Sequence, residues 1–92
     1  MEAKVGEEKW DTLENAYRAA VKNKSGPMPL QSFLVQMKEE LALWQIISIW
    51  ENMEVLQKMR DSNKTPAGVL IFRQADAEPK LSLFEMKEEM HV

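Results

Sequence analysis

The sequence predicts a small α+β domain that is mainly helical, with three helices followed by a C-terminal two-stranded β-hairpin. Three observations predict it. Apolar residues recur at three- and four-residue spacing over 8–22 and again over 30–41, the period of a helix face. From residue 30 to residue 61 there is neither Gly nor Pro to interrupt helix. Two short apolar runs, at 69–72 and 80–84, then flank a loop that contains Pro79. With 92 residues there is room for one core and no second domain. The expected limits are a flexible N-terminus over 1–7, the domain over 8–85 and a charged tail over 86–92.

In the first helix, Trp10, Leu13, Tyr17, Ala20 and Val21 share a face. Glu7, Glu8 and Asp11 near its start and Lys22 and Lys24 at its end suit the helix dipole. Lys24-Ser25-Gly26-Pro27 stops it. Pro29 can occupy the first position of the second helix, where a missing N–H costs nothing. Leu30, Phe33, Leu34, Met37 and Leu41 form that helix's apolar stripe, with Gln31, Gln36, Lys38 and Glu39 off it.

A break near 42–48 separates the second helix from the third. Ser48 followed by Glu51 matches a capping box, which would start the third helix at 49 and carry it to 61 with Trp50, Met53 and Leu56 inward. A start near Ala42 competes with it. Residues 61–68, Asp-Ser-Asn-Lys-Thr-Pro-Ala-Gly, have turn chemistry. Val69-Leu70-Ile71-Phe72 reads as the first hairpin strand and Lys80-Leu81-Ser82-Leu83-Phe84 as the second, with Leu81 and Leu83 on one face.

Composition excludes several chemistries. There is no cysteine, which removes disulfides, thiolate zinc sites and a Cys nucleophile. His91 stands without a second His or Cys near it in sequence, so no metal is expected. Gly6, Gly26 and Gly68 are isolated and make no phosphate loop. Glu7 and Glu8, Glu39 and Glu40, and Glu88 and Glu89 are adjacent pairs, and adjacent residues on a helix point about 100° apart. No enzyme and no cofactor are expected. No apolar run reaches the ~18–20 residues of a membrane span, and the first residues lack the basic and apolar regions of a secretory signal. The expectation is an intracellular protein, cytoplasmic or nuclear, without a membrane partner.

The net charge is −3, against the basic balance usual in nucleic-acid binders. The acids gather at the ends, and residues 15–84 hold nine basic and seven acidic residues. Lys58, Arg60, Lys64, Arg73 and Lys80 are the candidates for phosphate contact. The third-helix region has more apolar residues than one stripe can use. Leu43, Trp44 and Ile47, with Glu51 at the rim, are the candidate partner-binding residues, for a protein partner or a second copy.

The order helix, short extended piece, helix, helix, hairpin resembles a winged-helix domain over about residues 8–85, the hairpin being the wing. Val55-Leu56-Gln57-Lys58-Met59-Arg60-Asp61-Ser62-Asn63-Lys64 followed by Gly68-Val69-Leu70-Ile71-Phe72 resembles the winged helix at the C-terminus of minichromosome maintenance helicase subunits. Tyr17-Arg18-Ala19-Ala20 and Met28-Pro29-Leu30 fit the same layout. The resemblance implies a regulatory contact module in a chromosome-associated assembly, in a family where some members touch DNA. The third helix argues against base reading: 43–57 holds Gln45, Asn52 and Gln57 but no Lys or Arg. DNA contact would then be weak, salt-sensitive and made by the wing. A helical partner or inhibitor protein outside nucleic-acid biology is the alternative.

Overall fold

The computed structural model describes residues 1–23, 29–61, 65–85, 87 and 88, with the backbone alone at 59 and 60. In chain order it contains β1 (Glu2–Lys4), a 3₁₀ turn (Glu7–Lys9), α1 (Trp10–Lys22), β2 (Gln31–Gln36), β3 (Leu43–Ile49), α2 (Met53–Asp61) and α3 (Ala67–Gln74). The strands form one antiparallel sheet in the order β1-β3-β2. Strands therefore stand before and between the helices, and the expected C-terminal hairpin is not formed.

Residues 31–36 are a strand where the apolar spacing predicts a helix. Their burial alternates, with Ser32, Leu34 and Gln36 half-buried and Gln31, Phe33 and Val35 exposed. A period of two is what a sheet with one covered face produces. The expected break at 42–48 is instead the strand β3, where Ile46, Ile47 and Ile49 carry β-branched side chains that are stiff in a helix and suited to a pleat. The surplus of apolar residues there is resolved by the two faces of a strand. β2 and β3 are joined through 37–42, where the Met37 N–H donates to Leu43 O at 3.0 Å and the Leu43 N–H to Glu40 O at 2.9 Å. Gln36 Nε2 donates to Leu41 O at 2.7 Å and closes the same turn.

The run 69–72 is helical too. Val69, Ile71, Phe72 and Ala75 are buried while Leu70 is exposed, a pattern that recurs at helix spacing. Pro66 sits at the N-cap with extended backbone. At the other end the Ala77 N–H donates to Phe72 O at 3.0 Å and the Asp76 N–H to Arg73 O at 3.1 Å. Asp76 has φ 56°, so this is a left-handed Schellman ending. The expected second hairpin strand is reduced to one bridge, in which Lys80 pairs with Glu2 of β1. Residues 81–85 make no ladder and are exposed.

The core lies between one face of the sheet and the helices α1 and α3, which pack on each other. Ala3, Trp44 and Ile46 from the strands meet Leu13 and Ala16 of α1 and Ile71 and Phe72 of α3 in one cluster. Val5 belongs to it as well, so residues 1–7 supply both a strand and core side chains. The Tyr17 hydroxyl donates to Ser32 Oγ at 3.1 Å and ties α1 to β2. α2 starts at Asn52, whose Oδ1 accepts from the Val55 N–H at 3.0 Å. Ser48 lies in β3 and caps nothing.

Candidate interaction face

Helices α1 and α3 cover one face of the sheet, and among the described residues nothing covers the other, which is the open face. A three-stranded sheet in a short chain has too few elements to cover both of its faces. The residues pointing to the open side follow from the register. Phe33 stands opposite Ile47, Val35 opposite Gln45, and Gln31 opposite Ile49. Beyond β3, Gln45 stands opposite Glu2 and Leu43 opposite Lys4.

This face is apolar on one side and polar on the other. Phe33, Val35, Met37 and Ile47 are 46%, 39%, 42% and 43% exposed, and Leu43 and Ile49 beside them are half-buried. Towards β1, Gln45 Nε2 donates to Glu2 Oε2 at 3.3 Å, and Lys4 Nζ lies 3.2 Å from Glu40. A shallow groove follows this polar side, lined by Glu2, Lys4, Leu43, Glu78 and Lys80. Its charges are of both signs, with Lys4, Glu78 and Lys80 exposed and Glu2 half-buried. Among the described residues, no three His, Cys, Asp or Glu side chains come together in a way that could hold a metal.

The four residues expected to bind a partner through one helix face are separated by the strand. Trp44 is buried, 5% exposed, on the helix side. Leu43 and Ile47 point to the open side, and Glu51 is exposed beyond the end of β3. Phe33, Val35 and Met37, which complete the open patch, have their own signal in the alternation Phe33-x-Val35-x-Met37. A helical reading of the same stretch places Phe33 and Met37 inside and leaves Val35 unassigned.

The basic candidates are not gathered on a wing, because 69–74 is helix. Lys58 is exposed on α2 and Lys80 is exposed beside β1. Lys64 lies outside the described residues, as does the Arg60 side chain. Arg73, in the last turn of α3, is committed to Glu78. Its Nη2 and Nε donate to the Glu78 carboxylate at 2.9 and 3.2 Å. The hydrogen bond from Arg73 holds the Glu78 carboxyl below the usual glutamate range; burial opposes it, and the guanidinium's charge adds to it. The same bond raises Arg73. A phosphate at Arg73 would have to displace that carboxylate.

No helix among the described residues is long and apolar enough to cross a membrane. No protein-family model, curated protein or solved structure matches the chain, and nothing in these comparisons identifies a winged-helix domain.

Proposed function

We propose that this chain is a non-enzymatic protein-interaction domain that meets its partner on the open face of the sheet. One observation carries the reading: Phe33, Val35, Met37 and Ile47 lie together on that face, each about two-fifths exposed or more. Contiguous apolar patches rimmed by polar groups mark contact surfaces in soluble domains. Covering these side chains offers roughly 1 kcal/mol apiece, about half the value of burying a large apolar side chain from full exposure. Glu2, Lys4, Gln31 and Gln45 supply the polar rim. The chromosome-associated setting depends on the winged-helix layout and is no part of this reading, since the strands stand before and between the helices.

The reading is tested by placing a photoreactive benzoyl-phenylalanine at Phe33 and, as control, at the exposed Thr12 of α1. Irradiation in the producing cell should give protein adducts from position 33 and not from position 12. Excess unlabelled chain should suppress them, and an excess of the Phe33→Ser/Ile47→Thr variant should not. Equal yields from both positions, or equal suppression by both competitors, would overturn the proposal.

A further inference from the structure

We infer that the β2 edge bordering this surface, unpaired among the described residues, pairs with a second copy of the chain into one continuous six-stranded sheet. The inference goes beyond the interaction reading above, since edge pairing sets the two open faces side by side and leaves both available to a further partner.

The hydrogen-bond phase of the sheet shows which groups are free. The Met37 N–H donates to Leu43 O, and the register runs from that pair through Val35 with Gln45, Phe33 with Ile47 and Gln31 with Ile49. Alternate residues of an antiparallel strand bond to the same neighbour. The odd-numbered residues of β2 are therefore the ones bonded to β3. The other edge of β3 keeps the same phase: the Ile46 N–H donates to Met1 O, and the Val5 N–H donates to Ala42 O. Ser32, Leu34 and Gln36 consequently turn their backbone N–H and C=O groups to the outer edge. No described strand pairs with that edge.

This edge lacks the features that normally keep an edge unpaired. Residues 30–37, Leu-Gln-Ser-Phe-Leu-Val-Gln-Met, contain no charge, no Pro and no Gly. Edge strands that stay single carry lysines, prolines or bulges. Both the backbone groups and the neighbouring apolar side chains are left available on one strand.

A second copy fits because the strand is complementary to itself. A two-fold axis at Leu34 places Leu34 opposite the partner's Leu34, Ser32 opposite the partner's Gln36, and Gln36 opposite the partner's Ser32. These are the residues whose backbone groups have no partner among the described residues, so each pair can exchange hydrogen bonds. The same register sets Phe33 against the partner's Val35 and Gln31 against the partner's Met37 on the open face. The patches of the two copies then join across the axis. Lys38 and Glu39 at the hairpin tip fall opposite the partner's Leu30 and Pro29, so no like charges meet. An isologous contact of this kind closes at two copies and leaves no further edge on β2.

Backbone amide exchange followed by NMR over a range of concentrations, with sedimentation on the same samples, tests this. The expected result is a concentration-dependent rise in mass from one chain to two. It should be accompanied by slowing, by about tenfold or more, at the amides of Ser32, Leu34 and Gln36, because pairing moves them from solvent into a ladder. Phe33 and Val35 amides, already bonded to β3, should be protected at every concentration. Val35→Lys, which puts a charge on the exposed side of this edge strand and removes no hydrogen bond within the sheet, should keep the circular dichroism spectrum and weaken the association. A chain that stays single throughout would overturn the inference, and so would association that leaves the three amides fast. In either case adducts from position 33 to a different protein would still support the interaction reading, so the two can fail separately.

Discussion

Trp10 and Trp44 meet with ring centroids 6.0 Å apart and planes inclined at 59°, and they differ in the fate of the indole N–H. Trp10 Nε1 donates to Val5 O at 2.9 Å. Trp44 Nε1 is buried with no partner among the described residues. An unpaired buried donor costs about 1–3 kcal/mol, which a phenylalanine would not incur. Trp44→Phe should therefore cost less stability than Trp10→Phe, by about 1 kcal/mol, although Trp44 is the more buried of the two. Trp44→Ala loses the ring itself and should cost about 3–5 kcal/mol. Urea denaturation of the three variants, followed by far-ultraviolet circular dichroism, gives the order. A greater loss in Trp44→Phe than in Trp10→Phe would contradict it.

Phe33 and Ile47 face each other on the open side of the same sheet, so removing either should separate association from folding. Phe33→Ser forfeits a cross-strand pair worth about 0.2–1 kcal/mol. Leu13→Ala, at a side chain with no exposure, should cost about 2–5 kcal/mol. The expected outcome is a Phe33→Ser protein nearly as stable as the parent but impaired in binding, measured by thermal melting beside the competition assay. A loss as large as that of Leu13→Ala would place Phe33 in the core.

How much of this was legible in the sequence differs from element to element, for physical reasons. The first helix was readable because its start, face and stop agree: Leu13 and Ala16 are buried and Trp10, Tyr17 and Ala20 pack beside them. The strands β2 and β3 were not. Their connection has no Gly, Pro, Asn or Asp to announce a turn, and Gln36 closes it with a side-chain amide instead. Phe33, Leu34 and Met37 satisfy a helical spacing as well as a period of two, because a strand with one open apolar face has hydrophobic residues on both sides. The four-residue run 69–72 is too short for periodicity to decide, and Ala75, buried at helix spacing from Ile71 and Phe72, carries the helical answer. The open face is only half visible in the sequence: Leu43 and Ile47 stand out as surplus apolar residues, while helical spacing takes Phe33 and Met37 into a helix stripe and gives Val35 no face.

Helix α2 offers a direct comparison of the cap that the sequence suggested with the cap that is made. Asn52→Ala removes the acceptor for the Val55 N–H and should destabilise the protein by about 0.5–2 kcal/mol. Ser48→Ala breaks no cap, because Ser48 is an exposed strand residue, and should change stability by less than about 0.5 kcal/mol. Denaturant midpoints of the two variants decide between the positions. Equal effects, or the reverse order, would restore the capping box at Ser48.

Asp76 occupies the left-handed position that ends α3, where a Cβ is a burden. Asp76→Gly should stabilise the fold by about 0.5–1 kcal/mol, since glycine adopts this backbone without the steric penalty. Asp76 Oδ2 also lies 3.2 Å from Lys9 Nζ, but the carboxylate is three-quarters exposed and such a pair contributes little. Asp76→Val keeps the Cβ, adds branching and should destabilise. Melting temperatures of the two variants should fall on opposite sides of the parent, and a lower value for Asp76→Gly would show that the ion pair outweighs the backbone.

The Arg73–Glu78 pair fixes the sign of one pH effect. Hydrogen bonding to the guanidinium lowers the Glu78 carboxyl from its ordinary value of 4.5. The folded state therefore favours the charged carboxylate. Its contribution to stability is present above that ordinary value and is lost as the pH falls through the lowered one. Arg73 stays protonated over this whole range, so the change belongs to Glu78. Both groups are exposed, and solvent screening keeps the contribution small. The shift is therefore better read from the carboxyl itself than from a melting curve. A carbon-detected NMR titration should place the Glu78 midpoint below the ordinary glutamate value, and Arg73→Gln should move it back up. A midpoint unchanged by Arg73→Gln would show that the ion pair does not persist in solution.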